Sequence, residues 1–404
     1  MAIKKFRDRN VLEAAQARIS ETFDSVERIY VAFSGGKDSS VMLHLVMAEA
    51  IKRGVTVGVM YIDFEAQYAE TIRHVQEMFD LYQDHIEQHW ICVPMRLRNA
   101  VTNFETHWTC WDEAKRDLWV REKPRRYKLS RDYPFGVDGM EFEEFIVLFG
   151  EWFGQGKKTA GFIGIRAQES LHRYCSVATW EKRDLMLNNR RWTTKIVDEV
   201  YNVYPIYDWL VDDIWRFHAK FPEKPHNMIY DLMQRAGVPL SQQRLCQPYG
   251  DDQRKGLWLY HILEPETWSK VVARVNGVNS GSLYIEESGN ITGYQHISKP
   301  PGHTWKSFCN MLLQTMPKKT RDHYTARFKK FIYGWHTRGY PVIPDEAPSE
   351  LEAKSWAPSW RRMCKVLLRN DYWCHGLGQG QPKSEAWMKY KAMQKAKKEQ
   401  AANA

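Results

Sequence analysis

Two hydrophobic rhythms alternate along the first half of the chain. Val11, Ala15, Ile19 and Phe23 recur at every fourth position, which predicts an amphipathic helix within residues 8–26. Residues 28–33 follow as a short apolar run and predict a buried strand. Val41, Met42, Leu45 and Val46 return to helical spacing, with Gly54 as the stop. Residues 56–63 are almost all apolar, as in a strand covered on both faces. A helix over 68–81 turns Thr71, Ile72, Val75, Met78 and Phe79 inward, and strands follow at 90–93 and 159–166. This alternation predicts an α/β fold: a parallel sheet with helices on both faces.

The rhythm breaks over 94–158. That segment holds Trp108, Trp111, Trp119 and Trp152 beside the basic group Arg121, Lys123, Arg125, Arg126 and Lys128. A long insertion after a strand tends to build a substrate pocket. His107 and Cys110 give one pair of metal-ligand spacing, which alone is weak. Beyond residue 254 the pattern is helical, over 264–275, 303–316 and 318–335, with a Gly/Ser-containing connection at 277–301 and a small hairpin expected at 282–294. The expected division is therefore an α/β domain over 1–254 and a mainly helical, basic accessory domain over 255–404.

Composition narrows the class. The 404 residues carry 26% charged side chains and no apolar run of membrane-spanning length. The N-terminus has charge without an apolar run behind it, so a cytoplasmic location is expected. The seven cysteines are scattered and none forms Cys-x-x-Cys, which argues against a disulfide framework or an iron–sulfur cluster. The net charge of +9 suits a polyanionic partner or nucleotide phosphates. The tail over 383–398 has six lysines against one glutamate and reads as a solvated helix end, with nucleic acid as a possible contact.

The chemistry concentrates at Ser34-Gly35-Gly36-Lys37-Asp38-Ser39-Ser40, a turn between the first strand and the next helix. Such a turn presents free amides at the positive end of a helix dipole. Lys37 adds a charge, the serines add donors, and Asp38 makes sense beside phosphate only if it serves a cation. Downstream, Gly164-Ile165-Arg166-Ala167-Gln168-Glu169-Ser170 places a guanidinium fork at another strand end, with Arg173 one helical turn past Glu169. Residues 203–215 contain Pro205, Trp209, Asp213 and Trp215, and residues 226–231 read His-Asn-Met-Ile-Tyr-Asp.

The Ser-Gly-Gly-Lys-Asp-Ser run resembles the pyrophosphate loop (PP-loop) of the ATP pyrophosphatase superfamily. The Gly-x-Arg-x-x-Glu-Ser run and the Trp209 segment are similar to motifs of its phosphoadenosine phosphosulfate (PAPS) reductase branch. This resemblance implies a parallel five-stranded-type sheet of the adenine nucleotide alpha hydrolase-like kind and an adenine nucleotide, ATP or PAPS, with Mg²⁺. Ser34, Gly35, Gly36, Lys37, Ser39, Ser40, Asp63, Gly164, Arg166, Ser170 and Arg173 would bind it, Lys37, Asp38 and Arg166 would act in catalysis, and Asp38 would assist the metal. Asp63 and Glu65 end the second strand where the reductases carry Val-Asp-Thr-Gly, and helix capping remains the alternative role. In place of the reductases' Gly-Cys-x-x-Cys run stands Cys246 alone, so the iron–sulfur ligands are missing.

With Cys246-Gln-Pro-Tyr-Gly-Asp-Asp-Gln-Arg254 and the C-terminal extension, the chain resembles the immunoglobulin-binding regulator A type along its whole length. That resemblance implies a ParB/sulfiredoxin-like protein partner and a role beside transcription, on or at nucleic acid. Three functions follow. Cleavage of ATP between the α and β phosphates is preferred, because it needs no protein nucleophile. Sulfonucleotide reduction would need a thiolate, for which Cys374 beside His375 is the candidate. A non-catalytic transcription co-regulator retaining a nucleotide pocket is the third.

Overall fold

The computed structural model describes residues 8–135, 138–178, 185–251, 257–278 and 297–402. The hairpin expected at 282–294 and the first seven residues lie outside these. Helix α1 (Val11–Phe23) opens on Asn10, whose side chain accepts from the Glu13 amide at 2.9 Å. Strand β1 (Arg28–Ala32) leads through the Ser34–Gly36 turn into α2 (Lys37–Arg53), which Gly54 ends in the left-handed conformation. Strand β2 (Val57–Ile62), helix α3 (Ala69–Leu81) and strand β3 (Ile86–Ile91) complete the regular part. A two-stranded antiparallel pair, β4 (Arg96–Arg98) and β5 (His107–Thr109), sits in the insertion. Then come α4 (Phe142–Gly154), β6 (Thr159–Ile163), α5 (Leu171–Ala178), β7 (Thr193–Val197) and β8 (Val200–Val203). Helices α6 (Val211–Lys220), α7 (Ile229–Arg235), α8 (Leu257–Leu263) and α9 (Pro265–Arg274) follow.

The main sheet has six strands, not five, in the order β3-β2-β1-β6-β8-β7. All neighbours are parallel except the β7–β8 hairpin, which closes one edge. The chain winds to β2 and β3 on one side of β1, and to β6 on the other. The crevice at the carboxyl end of β1 is thus a topological switch point, where open α/β sheets bind ligands. The PP-loop leaves β1 there.

The segment expected as an insertion over 94–158 divides in two. Its last part, α4, is a sheet-covering helix: the Phe149 and Phe153 rings meet Tyr30 of β1 edge-on at 5.4 and 5.5 Å. The earlier tryptophans are core rather than an open stacking platform. Trp111 is fully buried, its indole donating to the Asp63 carbonyl at 2.6 Å, and Trp119 donates to the Asp112 carbonyl. The Cys110 thiol is buried against the Val93 carbonyl, and the His107 ring packs on Tyr372 and Trp373, so the two do not form a ligand pair.

The rest of the chain is helical: α10 (Trp305–Thr315), α11 (Lys318–His336), α12 (Ser349–Ala353), α13 (Trp360–Leu368) and α14 (Glu385–Ala402). Two hydrophobic cores result. The second gathers Trp305, Phe308, Tyr324, Phe328, Met363 and Trp373, among others. The first runs on to Val278 and is joined by Ala386, Trp387 and Tyr390 of α14. The expected boundary at 254 therefore does not separate the cores, because α8, α9 and the end of the chain belong with the sheet.

Candidate functional site

The PP-loop is shaped by its own side chains and by two distant helices. Gly35 adopts φ +73°, and a Cβ there would press on Thr71 and Val75 of α3 at 3.0–3.1 Å. The Ser34 and Ser39 hydroxyls lie 3.0 Å apart, and Ser39 Oγ accepts from the Ser34 amide. Asn227 Nδ2 donates to the Gly35 carbonyl at 2.9 Å and to Thr71 Oγ1 at 3.0 Å. Tyr230 Oη accepts from the Lys37 amide at 3.1 Å. The amides of Asp38 and Ser39, in the first turn of α2, have no carbonyl four residues back within the helix and no other partner among the described residues. They are the donors an anion would take.

Charged side chains form one alternating chain beside these amides. Lys37 Nζ lies 2.8 Å from Asp38 Oδ2, and the other Asp38 oxygen accepts from Arg166 Nε. Arg166 Nε is 3.5 Å from Glu169, which in turn pairs with Arg173. Three cations thus alternate with two carboxylates, leaving one net positive charge. Lys37 and Arg166 are buried, whereas Arg173 is about half exposed. Burial is the main influence holding the Arg173 guanidinium below its ordinary pKa. Gly164 backs the arrangement, since a Cβ there would sit 3.1 Å from Asp38 C and O and from Ser39 N.

The expected site residues separate into two groups. Ser34, Gly35, Gly36, Lys37, Asp38, Ser39, Gly164, Arg166 and, through Glu169, Arg173 converge on this cradle. Ser40, Ser170 and Asp63 are engaged elsewhere. Ser40 is fully buried, its hydroxyl between the Gly36 carbonyl and His74 Nε2. Ser170 caps α5, accepting from the Arg173 amide at 3.2 Å. Asp63 is turned inward, its carboxylate accepting from Trp90 Nε1 at 2.8 Å, from the Glu65 amide at 3.0 Å and from Arg121. Glu65 is likewise buried, in an ion pair with Arg274 at 2.6 Å. Asn227, Tyr230 and Glu169 lie in the quoted motifs but carry no sequence signal of their own for a place at the loop, and His74 stands in no motif. For the first two, the only signal was the motif position of 226–231.

The candidate reductive thiol lies apart from this chemistry. Cys374 is fully buried in the second core, in a left-handed turn, and burial pushes its thiol up to about 12. Cys246, half-buried and close to Arg173 and Tyr230, is the thiol nearer the loop. Among the described residues no three His, Cys, Asp or Glu side chains gather as a metal-holding group. No described helix is long and apolar enough to cross a membrane.

Comparisons with known proteins fall on these same regions. Residues 28–237 match the phosphoadenosine phosphosulfate reductase domain, and 237–357 match a domain of unknown function, DUF3440. The Escherichia coli K12 protein YbdN is 40% identical over 394 residues, 97% of this chain and 96% of its own length. The Methanocaldococcus jannaschii protein MJ0066 is 26% identical over 215 residues, covering 53% of this chain and 36% of its own. Among solved structures, PAPS reductase from Candida auris superposes with a TM-score of 0.31 at 13% identity, over 54% of this chain and 84% of its own. The U34-tRNA thiolase NcsA from Methanococcus maripaludis gives 0.32 at 13% identity, over 68% and 79%.

Proposed function

The chain belongs to the phosphoadenosine phosphosulfate reductase domain family, with its adenine-nucleotide-binding PP-loop fold, and from that premise we propose that it binds ATP and cleaves it between the α and β phosphates. The observation that carries this reading is the Lys37–Asp38–Arg166 chain beside the unpartnered amides of α2. An incoming pyrophosphate group competes with Asp38 for Lys37 and Arg166. Those cations and the Asp38 and Ser39 amides then neutralise the charge that grows on the leaving pyrophosphate. Water or an acceptor attacks the α-phosphorus, giving AMP or an adenylate, and pyrophosphate departs. Catalysis of this kind rests on positioning and charge.

Asp38, released from its two cations, would be the carboxylate that holds Mg²⁺. The metal supplies Lewis-acid charge neutralisation at the phosphates. A ParB/sulfiredoxin-like protein as the partner in this activity remains part of the proposal. Sulfonucleotide reduction is the second reading. It is disfavoured because the buried Cys374 thiol offers no accessible thiolate.

The experiment is product analysis with Mg²⁺ and either ATP or PAPS, with and without the partner. AMP with pyrophosphate is the expected result, and Lys37→Ala should abolish it. Sulfite with adenosine bisphosphate would replace this reading with reduction. Binding without turnover would leave a nucleotide-holding transcription co-regulator.

A further inference from the structure

A second concave surface lies between the insertion and the end of the chain. It is an open groove of about 950 Å³. Its walls come from three places: β4 with residues 130–135 and 138–139, the start of α11, and the exposed side of α14. Each wall contributes cations, Arg96 and Arg131 from the first, Lys319 from the second and Lys389 from the third. Arg131, Lys319 and Lys389 are exposed, and none has a carboxylate within 4 Å among the described residues. Four cations from separate elements thus face one cleft against two lining carboxylates, Asp138 and Glu385, with Arg96 also 3.8 Å from Glu141, so the cleft keeps a net positive charge. Such an arrangement costs self-repulsion in the free protein and is relieved by an anionic ligand.

The third wall is fixed in place. The Ser384 amide donates to Glu144 Oε1 at 2.9 Å, its hydroxyl donates to the other Glu144 oxygen, and Trp387 and Tyr390 pack on the first core. The groove is therefore preformed and does not depend on a free-swinging tail.

We propose that this groove binds a single-stranded stretch of nucleic acid, with its phosphates on Arg96, Arg131, Lys319 and Lys389. Three features select this occupant. Guanidinium forks and lysines along a groove track a phosphate backbone. The half-buried Tyr390 ring lines the cleft and offers a face on which a base can stack. Asp138 and Glu385 also line it, and carboxylates can accept hydrogen bonds from exocyclic base amines. An acidic peptide carries no base amine for these carboxylates and no base to stack on the Tyr390 ring. A duplex keeps its bases stacked and paired, so it presents no free base face to the Tyr390 ring and no free base amine to the carboxylates.

The proposal is independent of turnover at the PP-loop. It is tested by fluorescence anisotropy of the full chain with 12-nucleotide single-stranded DNA and RNA, a matched duplex and polyglutamate. Single strands should bind, and the tighter of DNA and RNA identifies the natural source. The Arg131→Ala/Lys319→Ala/Lys389→Ala variant should bind on the order of 100-fold more weakly at moderate salt, with a log–log salt slope shallower by about 2. A control removing exposed cations outside the groove, Lys52→Ala/Lys270→Ala/Lys354→Ala, should retain most of the affinity. Wild-type affinity in the groove variant, an equal loss in the control, tighter binding of duplex or polyglutamate, or no binding of any single strand would each overturn it.

Discussion

Gly164 shows how little room the cradle leaves at single residues. The Cβ of an alanine there would sit 3.1 Å from the backbone of Asp38 and Ser39, closer than relaxed packing allows. Backbone in the first turn of α2 yields less readily than a flexible side chain. Gly164→Ala should displace that turn at an overpacking cost of about 1–2 kcal/mol, weakening ATP binding roughly tenfold in isothermal titration calorimetry. Unchanged affinity would mean that the Asp38 and Ser39 amides do not meet the ligand. Tyr230 gives the complementary case. Its hydroxyl serves the Lys37 amide, and burial drives the phenol pKa up, so it stays protonated at neutral pH. Tyr230→Phe leaves that buried amide unpartnered, a loss of about 1–3 kcal/mol in chemical denaturation. Saturating nucleotide should restore part of the loss if a phosphate oxygen takes over the amide, and restoration equal to that seen in the wild type would argue against such a contact.

At the scale of elements, α2 and α3 are joined through histidines that sit neutral. Burial, then neighbouring histidines, holds the His74 imidazole down from its ordinary 6.5 to about 3, and burial likewise holds His44 at about 3. His74 meets Ser40, and His44 meets Tyr82 at 2.6 Å and the Pro225 carbonyl at 2.9 Å. A depressed folded-state pKa means that the unfolded chain binds protons first as pH falls. The stability these groups contribute is complete above pH 6.5 and declines toward pH 3, at up to about 1.4 kcal/mol per pH unit for each histidine. Thermal melts at pH 7, 6, 5 and 4 should show this fall, and His74→Gln should flatten it relative to the wild type. A wild-type slope in that variant would assign the acid sensitivity to other groups.

Elements also show where the sequence is legible. Strands β1, β2 and β6 and helices α1 to α3 announce themselves because each buries a regular stripe or an unbroken apolar run. Strand β3 begins four residues earlier than the pattern predicts, since Glu87, Gln88 and His89 pair with β2 despite their polarity. The β7–β8 hairpin was missed, although the β-branched run from Thr193 to Val197 and the Asp198-Glu199 turn carry its signal. The cradle's glycines, Lys37, Asp38 and Arg166 were legible because their chemistry is local. Asn227 and Tyr230 act across more than 190 positions of chain, and Asp63 is claimed by Trp90 and Arg121, which no local pattern couples to it.

The whole molecule is tied together by a contact that crosses the expected domain boundary. Glu65, at the carboxyl end of β2, holds φ +67° and is fully buried. It accepts from Arg274 of α9 at 2.6 and 3.0 Å, from the Trp111 amide at 2.7 Å and from the Val120 amide at 3.2 Å. Arg274 also donates to the Thr109 carbonyl at 2.7 Å. One buried pair therefore joins the sheet, the insertion and a helix beyond residue 254. Such a pair adds little over an apolar replacement, but removing one partner strands a charge in the interior. Arg274→Ala should cost about 3–5 kcal/mol in denaturant unfolding, whereas replacing both partners, Glu65→Gln with Arg274→Met, should cost less than the single change. The same reasoning extends to truncation. A fragment of residues 1–254 lacks Arg274 and the α8, α9 and α14 side chains of the first core, and should show no cooperative melt and rapid proteolysis. A fragment melting cooperatively near the full-length temperature would make residues 1–254 a self-sufficient nucleotide domain, with Glu65 paired in some other way.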